Sequence, residues 1–238
     1  MPPPPGLIRT DEKFTCPDGF AMSAYLSRPA TAGRVPGLLF IYEILGMTGE
    51  MKRLVDELAV EGYAVLMPHL FDRGSWFSCV RKIMNELKTG SGSGVQDLIE
   101  ARSWLVRQPF VDPERIAVMG LCMGGGFALL LAKTGLFRVS APFYGPVPEK
   151  LEGICPLVAS YGGQDRRLAK DAERLAKELP ALDIPYDMKV YPEAGHGFMN
   201  RRPNMLLTLL ARAGNIDYDP DAAADAKDRL LRFLGKHL

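Results

Sequence analysis

A tight, glycine-flanked turn between two apolar runs constrains the fold more than any other feature of the chain. Residues 120–124 read Gly-Leu-Cys-Met-Gly, after the apolar run 116–119 and before the apolar run 127–132. The pattern predicts a strand, a sharp turn and a helix, with the thiol of Cys122 at the tip of the turn. Glycines are needed there because side chains would keep the strand and the helix apart. We therefore expect the thiol at the carboxyl end of a sheet.

Apolar strands alternate with helical periodicity along most of the chain. Strands are expected at 14–27 (a hairpin around 17–19), 35–42, 63–67, 116–119, 139–144, 157–161 and 186–191, and helices at 49–62, 79–88, 95–106, 127–132, 167–179 and 221–235. This alternation is typical of a mostly parallel sheet covered by helices on both faces, which is the α/β class. We expect one domain over residues 1–238, because the length suits a single α/β domain.

The segment 71–94 is predicted to be an insertion over the site rather than a domain. It contains a short helix and the stretch 89–94, Thr-Gly-Ser-Gly-Ser-Gly, whose composition predicts a flexible link. Two interpretations stay open, a mobile lid and an ordinary surface loop.

Composition excludes several classes of function. The 238 residues carry a formal net charge of +1, which gives no footprint for nucleic acid or for an anionic membrane. The four cysteines form no C-x-x-C pair, so neither a zinc site nor a redox motif is expected. The amino terminus lacks the pattern of a signal peptide, and no apolar stretch is long enough to cross a bilayer. We expect a cytoplasmic protein with reduced thiols.

Two polar residues follow later strands in the order that a nucleophile, an acid and a base take in this architecture. Asp165 comes just after the strand 157–161, and His196 comes just after the strand 186–191. Carboxyl ends of parallel strands meet at one edge of a sheet, so both side chains are expected near Cys122. Taken singly, a thiol is usually a small core residue, an aspartate a turn residue and a histidine surface. Together they predict a Cys-His-Asp triad.

Several motifs carry a resemblance to a known family. They are 42–46 (Tyr-Glu-Ile-Leu-Gly), 68–71 (Pro-His-Leu-Phe), 120–125 (Gly-Leu-Cys-Met-Gly-Gly), 144–145 (Tyr-Gly), 162–165 (Gly-Gly-Gln-Asp) and 194–196 (Ala-Gly-His). From about residue 12 onward the chain resembles the dienelactone hydrolases, the cysteine-using branch of the α/β-hydrolase fold. The resemblance implies Cys122 as nucleophile, His196 as base and Asp165 as orienting acid.

The resemblance also implies an oxyanion hole made by the backbone N–H groups of Ile44 and Met123. Their positions agree with it, since Met123 follows the nucleophile and Ile44 lies after the strand that supplies the second donor. Glu43 would take the thiol proton in the resting enzyme, according to the resemblance. A structural alternative is a hydrogen bond that anchors the loop.

The substrate side matches the family less well. Arg73 corresponds to one of two arginines that hold a substrate carboxylate in the family, or else is a solvated surface charge. Asn200 stands where the second would be, with Arg201 directly behind it as a substitute. Trp76, Phe77 and Tyr144 are candidate apolar walls, and ordinary core packing is the alternative.

These observations predict an enzyme that hydrolyses a small ester or lactone through a thioester, without a metal or an organic cofactor. A second hypothesis keeps the triad but assigns a general carboxylesterase or thioesterase acting on aryl or xenobiotic esters. A third is a non-catalytic hydrolase fold that binds a ligand or senses oxidants through Cys122. The partner is expected to be a small molecule, with no nucleic acid and no membrane, and monomer and dimer both stay open.

Overall fold

Eight strands form a single sheet in the computed structural model, which describes residues 6–31, 33–201 and 218–238. In chain order they are β1 (Leu7–Thr15), β2 (Ala21–Pro29), β3 (Val35–Ile41), β4 (Ala64–Pro68), β5 (Val111–Leu121), β6 (Val139–Phe143), β7 (Leu157–Gly162) and β8 (Tyr186–Tyr191). The spatial order is β1-β2-β4-β3-β5-β6-β7-β8. The strands from β4 to β8 in this order run parallel, and only the β1–β2 hairpin introduces antiparallel pairs.

The sheet is covered by six α-helices in the described residues. They are α1 (Gly49–Val60), α2 (Trp76–Thr89), α3 (Ser93–Val106), α4 (Met123–Ala132), α5 (Ala169–Glu178) and α6 (Pro220–His237). Parallel crossovers are right-handed, and the chain reverses direction along the sheet after β4, so α1 lies on one face and α3 and α4 on the other. α2 contacts both α3 and α4, whereas α6 is joined to the end of α1 by the Lys227–Glu61 ion pair, 3.1 Å long.

This architecture is the α/β-hydrolase fold, which confirms the predicted fold class. Its central strands β4, β6 and β7 are buried along their whole lengths, as continuous apolar runs between two helical layers should be. None of the helices in the described residues combines the length and the apolar character that a membrane span requires.

Helix α2 begins three residues earlier than its apolar pattern predicts. Ser75 caps its first turn, with the hydroxyl accepting a hydrogen bond from the Ser78 N–H, and Gly90 ends it in the left-handed conformation at φ 73°. The side chains buried along the helix are Cys79, Ile83 and Glu86.

The glycine- and serine-rich stretch after α2, predicted from its composition to be a flexible link, takes the form of a tight turn that leads directly into α3. The carboxylate of Glu86 is 4% exposed and accepts a hydrogen bond of 2.8 Å from the Gly94 N–H at the start of α3. A Cβ on Gly92 would lie 2.2 Å from the Glu86 carboxyl carbon. The glycines therefore serve close packing around a buried carboxylate, which composition alone does not reveal.

Candidate active site

The turn between β5 and α4 presents the Cys122 thiol in a strained backbone conformation. Cys122 has φ 55° and ψ −117°, and its N–H donates to the Phe143 carbonyl at 3.0 Å. A Cβ on Gly120 would lie 2.0 Å from the Gly124 carbonyl oxygen, and one on Gly124 would lie 2.1 Å from that of Ile41. Glycine is thus required on both sides of the turn, and the elbow predicted from the sequence is present.

The three residues predicted to form a triad lie in one hydrogen-bonded line. The Nε2 atom of His196 is 3.0 Å from the Cys122 sulfur, and its Nδ1 atom is 2.5 Å from the Asp165 Oδ2 atom. The other Asp165 oxygen accepts a hydrogen bond of 3.2 Å from the Arg167 N–H. Both Asp165 and His196 are largely shielded, with side chains 3% and 14% exposed. This is the arrangement of a nucleophile, a base and an orienting acid.

The loops that carry Asp165 and His196 are joined to each other by backbone hydrogen bonds. The Gln164 N–H donates to the Ala194 carbonyl at 3.0 Å, and the Gly163 N–H donates to the Tyr191 carbonyl at 2.7 Å. A Cβ on Gly162 would lie 2.3 Å from the Gly195 carbonyl oxygen. The separation between Asp165 and His196 is therefore set by the backbone as well as by their own hydrogen bond.

The pair of Asp165 and His196 has shifted proton affinities. Burial lowers the pKa of His196, but hydrogen bonds to Asp165 and Cys122 outweigh burial and raise it to about 9. Burial raises the pKa of Asp165, yet its hydrogen bond to His196 and the charges of His196 and Arg167 bring it below its ordinary value. The contacts with Asp165 and Cys122 thus stabilise the protonated imidazole, which allows His196 to accept and hold a proton from the neighbouring sulfur.

An aromatic cluster packs around the base. The ring of Tyr144 lies edge-on to the His196 ring, with centroids 5.2 Å apart, and is also 5.2 Å from Phe198. Tyr144 has a positive φ of 38° and is fully buried. The structure thus places this candidate wall residue directly against the His196 ring. Phe198, which the sequence analysis did not single out, completes the packing, and its position two residues after His196 was the available signal.

The loop after β3 lies beside the elbow, where the second oxyanion donor was predicted. A Cβ on Gly124, which would collide with Ile41, would also lie only 2.9 Å from the Tyr42 carbonyl oxygen. Residues 43–46 form a turn closed by a 2.9 Å hydrogen bond from the Gly46 N–H to the Glu43 carbonyl. Ile44 is half-buried in this turn, and Met123 opens α4 on the elbow side.

Glu43 and Asn200 form a buried polar pair at the same edge of the sheet. The Asn200 Nδ2 atom donates to the Glu43 carboxylate at 2.6 Å, and the side chains are 1% and 7% exposed. The neutral amide of Asn200 thus stands where the family has its second arginine, and it provides a hydrogen-bond donor to the Glu43 carboxylate.

Arg73 does not offer the open guanidinium that a carboxylate-binding role requires. Its Nε and Nη2 atoms each lie 2.7 Å from the buried carboxylate of Asp97, and its Nη atoms contact Asp18 at 2.6 and 3.0 Å. The same guanidinium stacks on the Phe20 ring at 4.5 Å. Two aspartates thus fill the planar fork of Arg73 in this structure, and a substrate carboxylate would have to displace them.

The other candidates for substrate contact are more exposed. Arg201 donates its backbone N–H to the Glu50 carboxylate at 2.8 Å, and its guanidinium lies 5.4 Å from the centre of the Tyr218 ring. Trp76 is 41% exposed and Phe77 80%, with their rings edge-on at 4.9 Å. The Trp76 indole donates to the Ile44 carbonyl at 2.9 Å, a contact that no local sequence pattern indicates.

The comparison with known protein families agrees with this geometry, since residues 22–238 match the dienelactone hydrolase family. The chain belongs to the dienelactone hydrolase family. It is accordingly a hydrolase of carboxylic esters or lactones, as the sequence analysis predicted.

Relatives and solved structures place the chain among similar dienelactone hydrolase family proteins. A Salmonella typhimurium protein named "Putative carboxymethylenebutenolidase" is 27% identical over 253 residues, which cover 97% of this chain and 87% of that protein. A Bradyrhizobium protein named "Probable 2-oxo-3-(5-oxofuran-2-ylidene)propanoate lactonase" is 26% identical, with coverage of 93% and 92%. The crystal structure of a dienelactone hydrolase-like promiscuous phosphotriesterase from metagenomic libraries superimposes with a TM-score of 0.83 at 19% identity, over 98% of this chain and 99% of that one.

Proposed function

We propose that the protein hydrolyses a small ester or lactone through a thioester on Cys122, with His196 as base and Asp165 as orienting acid. The observation that carries the proposal is the hydrogen-bonded line of the three side chains, 3.0 Å from sulfur to imidazole and 2.5 Å from imidazole to carboxylate. The reaction needs no metal and no organic cofactor, because the thiolate, the imidazole and backbone donors supply every group that it uses.

The first half of the reaction forms the thioester. The proton of the Cys122 thiol moves to His196, and the sulfur attacks the substrate carbonyl carbon while the carbonyl π electrons move to oxygen. The N–H groups of Ile44 and Met123 hold that oxyanion, a contribution of about 2.7–4 kcal/mol per donor. When the tetrahedral intermediate collapses, the C–O bond to the leaving group breaks, and His196 returns its proton to the alkoxide or enolate.

The second half releases the acid. His196 takes a proton from water, the resulting hydroxide attacks the thioester carbonyl, and the thiolate leaves and is available for the next cycle. A thiolate is a good leaving group as well as a good nucleophile, so unactivated amides are poor substrates. Activated lactones and enol esters suit this mechanism better.

One observation favours an uncharged or aryl ester as a second candidate substrate. Arg73 is engaged by Asp18 and Asp97, and the residue beside Glu43 is the neutral Asn200. Both positions at which the family holds a substrate carboxylate therefore lack an available guanidinium. A carboxylated dienelactone and a neutral aryl ester should be compared in the same assay, and a higher kcat/KM for the aryl ester would assign the second class.

The experiment that tests the mechanism compares wild type, Cys122→Ala and Cys122→Ser on both substrates by ultraviolet absorbance. The alanine variant should lose at least about 10⁴-fold in kcat, because the nucleophile is removed. The serine variant should retain weak esterase activity at most. Intact-protein mass measured after rapid quenching should show an acyl adduct on wild type alone. Full activity of the alanine variant would overturn the thioester mechanism.

Glu43 is assigned to control of the thiol proton in the resting enzyme. Its support is its burial at the end of β3 and its bond to Asn200, which is four residues beyond His196. Glu43→Gln should alter the pH profile of Cys122 alkylation by iodoacetamide. A change in melting temperature with the profile intact would assign the anchoring role instead. The cytoplasmic location, the single domain with its insertion and the oligomeric state stay predictions.

A further inference from the structure

The indole of Trp76 connects helix α2 to the turn after β3. Trp76 is the first residue of α2, and its Nε1–H donates to the Ile44 carbonyl at 2.9 Å. The start of the helix is fixed by the Ser75 cap, and the indole is braced edge-on by Phe77. Trp76 was predicted as a wall of the substrate pocket, but its polar atom points to the backbone of the turn.

Ile44 occupies one of the two central positions of this turn, where the backbone N–H and carbonyl take no part in the bond that closes the turn. The hydrogen bond that closes the turn runs from the Gly46 N–H to the Glu43 carbonyl, so Ile44 is the first of its two central residues. A central residue of such a turn uses neither its N–H nor its carbonyl in the closing bond. The carbonyl of Ile44 is taken by Trp76, and its N–H stays available for an oxyanion.

The turn has little other packing at this point. Leu45, the second central residue, is 54% exposed and Trp76 is 41% exposed. Gly46 has φ 85° and lies close to the Phe71 ring, so that end of the turn is held. The indole bond holds the Ile44 carbonyl, which belongs to the peptide between Ile44 and Leu45. The Ile44 N–H shares a peptide plane with the Glu43 carbonyl, which the Gly46 N–H holds, so the two bonds together fix the turn.

We propose that Trp76 is a positioning residue that fixes the place of the turn 43–46, and with it that of the Ile44 N–H, by holding the Ile44 carbonyl. The proposal rests on the proposed function, in which Ile44 is one of two oxyanion donors. Trp76 touches neither the thiol nor the reacting carbonyl in this role. It acts through the turn, and it makes acyl transfer sensitive to the placement of α2.

Two substitutions separate the donor from the ring. Trp76→Phe keeps an aromatic side chain without the N–H, and 3-benzothienylalanine at position 76 keeps the two-ring shape without it. Met84→Leu is the matched control, because Met84 lies on α2 about two turns beyond Trp76 and is 39% exposed. Melting temperatures of all variants show whether each is folded.

The two Trp76 variants should lose about 5- to 50-fold in kcat for ester hydrolysis, because a misdirected oxyanion donor loses part of the 10²–10³-fold that one donor contributes. KM should stay within about twofold, since the ground-state carbonyl gains little from the donor. Alkylation of Cys122 by iodoacetamide should proceed at the wild-type rate, because displacement of iodide forms no oxyanion. Met84→Leu should match wild type in both reactions.

Three results would overturn the proposal. An unchanged kcat in both Trp76 variants would show that the bond does not matter, and a rise in KM alone would assign a substrate wall. Equal losses in hydrolysis and alkylation would place the effect on the thiol or the fold. Cys122→Ala in the same assay keeps the two proposals apart, because its full activity would reject the thioester mechanism whatever the Trp76 variants do.

Discussion

The Cys122 side of the site, from β5 through Cys122 into α4, is positioned by backbone packed against backbone, whereas the α2 side is positioned by side chains. At the elbow a Cβ on Gly124 would lie 2.1 Å from the Ile41 carbonyl oxygen, and one on Gly120 would lie 2.0 Å from that of Gly124. Neither neighbour can move without distorting the sheet. The thiol is therefore held by contacts that only glycine permits.

The α2 side depends on three polar contacts that come from different parts of the chain. Arg73, just before the helix, binds the carboxylates of Asp18 and Asp97, and Trp76 at its start holds the turn of Ile44. Near the end of α2, the Glu86 carboxylate accepts a hydrogen bond from the Gly94 N–H. It thereby caps the start of α3, whose N-cap residue Gly92 has no side chain to do so. Each contact can be removed by one substitution that leaves the backbone path unchanged.

The difference teaches where variation is tolerated in this architecture. Backbone packing at the elbow fixes the position of the Cys122 thiol, because almost any atom added there would collide with the main chain. Side-chain contacts around α2 fix the shape and charge of the α2 side, where the substrate is proposed to bind, and they can be exchanged for others. A change of substrate is therefore expected to arise on the α2 side while the elbow stays constant.

The largest effect should come from adding one carbon atom at the elbow. Gly124→Ala places a Cβ against the Ile41 and Tyr42 carbonyls, so we expect a loss of at least about 3 kcal/mol in unfolding free energy. Urea denaturation followed by far-ultraviolet circular dichroism measures it. Gly235→Ala in α6 is the control, because nothing lies within 4 Å of its added Cβ. Equal stability of the two variants would mean that the elbow is looser than its packing indicates.

A smaller loss should follow from removing the charge that anchors the start of the α2 side. Arg73→Met leaves the carboxylate of Asp97, which is 2% exposed, without its guanidinium, so we expect a loss of about 2–3 kcal/mol after allowance for the partial exposure of the pair. Arg107→Met removes an exposed pair with Glu100 and should cost less than about 1 kcal/mol.

The same variant tests whether Arg73 binds substrate. If its role is structural, KM for a carboxylated dienelactone should change less than threefold at a temperature where Arg73→Met is folded. A tenfold or greater rise in KM with unaltered stability would restore the substrate-binding role and contradict the geometry with Asp18 and Asp97.

Sequence reasoning succeeded where the determining contacts are local. Glycines around Cys122, an apolar strand before it and a second strand before His196 are all visible in short windows. The fold and the proximity of Cys122, Asp165 and His196 could therefore be predicted. The partners of Arg73 and Trp76 lie 24 and 32 residues away or more along the chain, and no local pattern connects them. Arg73 in particular has the same appearance in the sequence whether its fork faces a substrate or two aspartates.

The segment 89–94 shows the same limit in a subtler form. Its composition predicts flexibility, yet Gly92 and Gly94 leave just enough room for the Glu86 side chain. The demand for glycine comes from a side chain one helical turn or more upstream, which becomes a neighbour only after α2 and α3 have packed together.

The smallest effect should come from Glu86, and its size depends on pH. Burial raises the pKa of Glu86, so the unfolded chain releases this proton at a lower pH than the folded chain does. Its contribution to stability is therefore complete below the unfolded pKa of about 4.3 and decreases as the pH rises through the folded value. Glu86→Gln does not ionise, so the unfolding free energy of wild type minus that of this variant should fall between pH 4 and pH 7.

Glu86→Ala separates the hydrogen bond from the charge. It removes the acceptor for the Gly94 N–H at the start of α3, and we expect a loss of about 1–2 kcal/mol at pH 7. Glu86→Gln keeps an acceptor oxygen and should lose less. Denaturation curves for wild type and both variants at three pH values suffice. A difference between wild type and Glu86→Gln that rises with pH would mean that the folded protein favours the ionised carboxylate, and that the turn around Glu86 stabilises charge instead of excluding it.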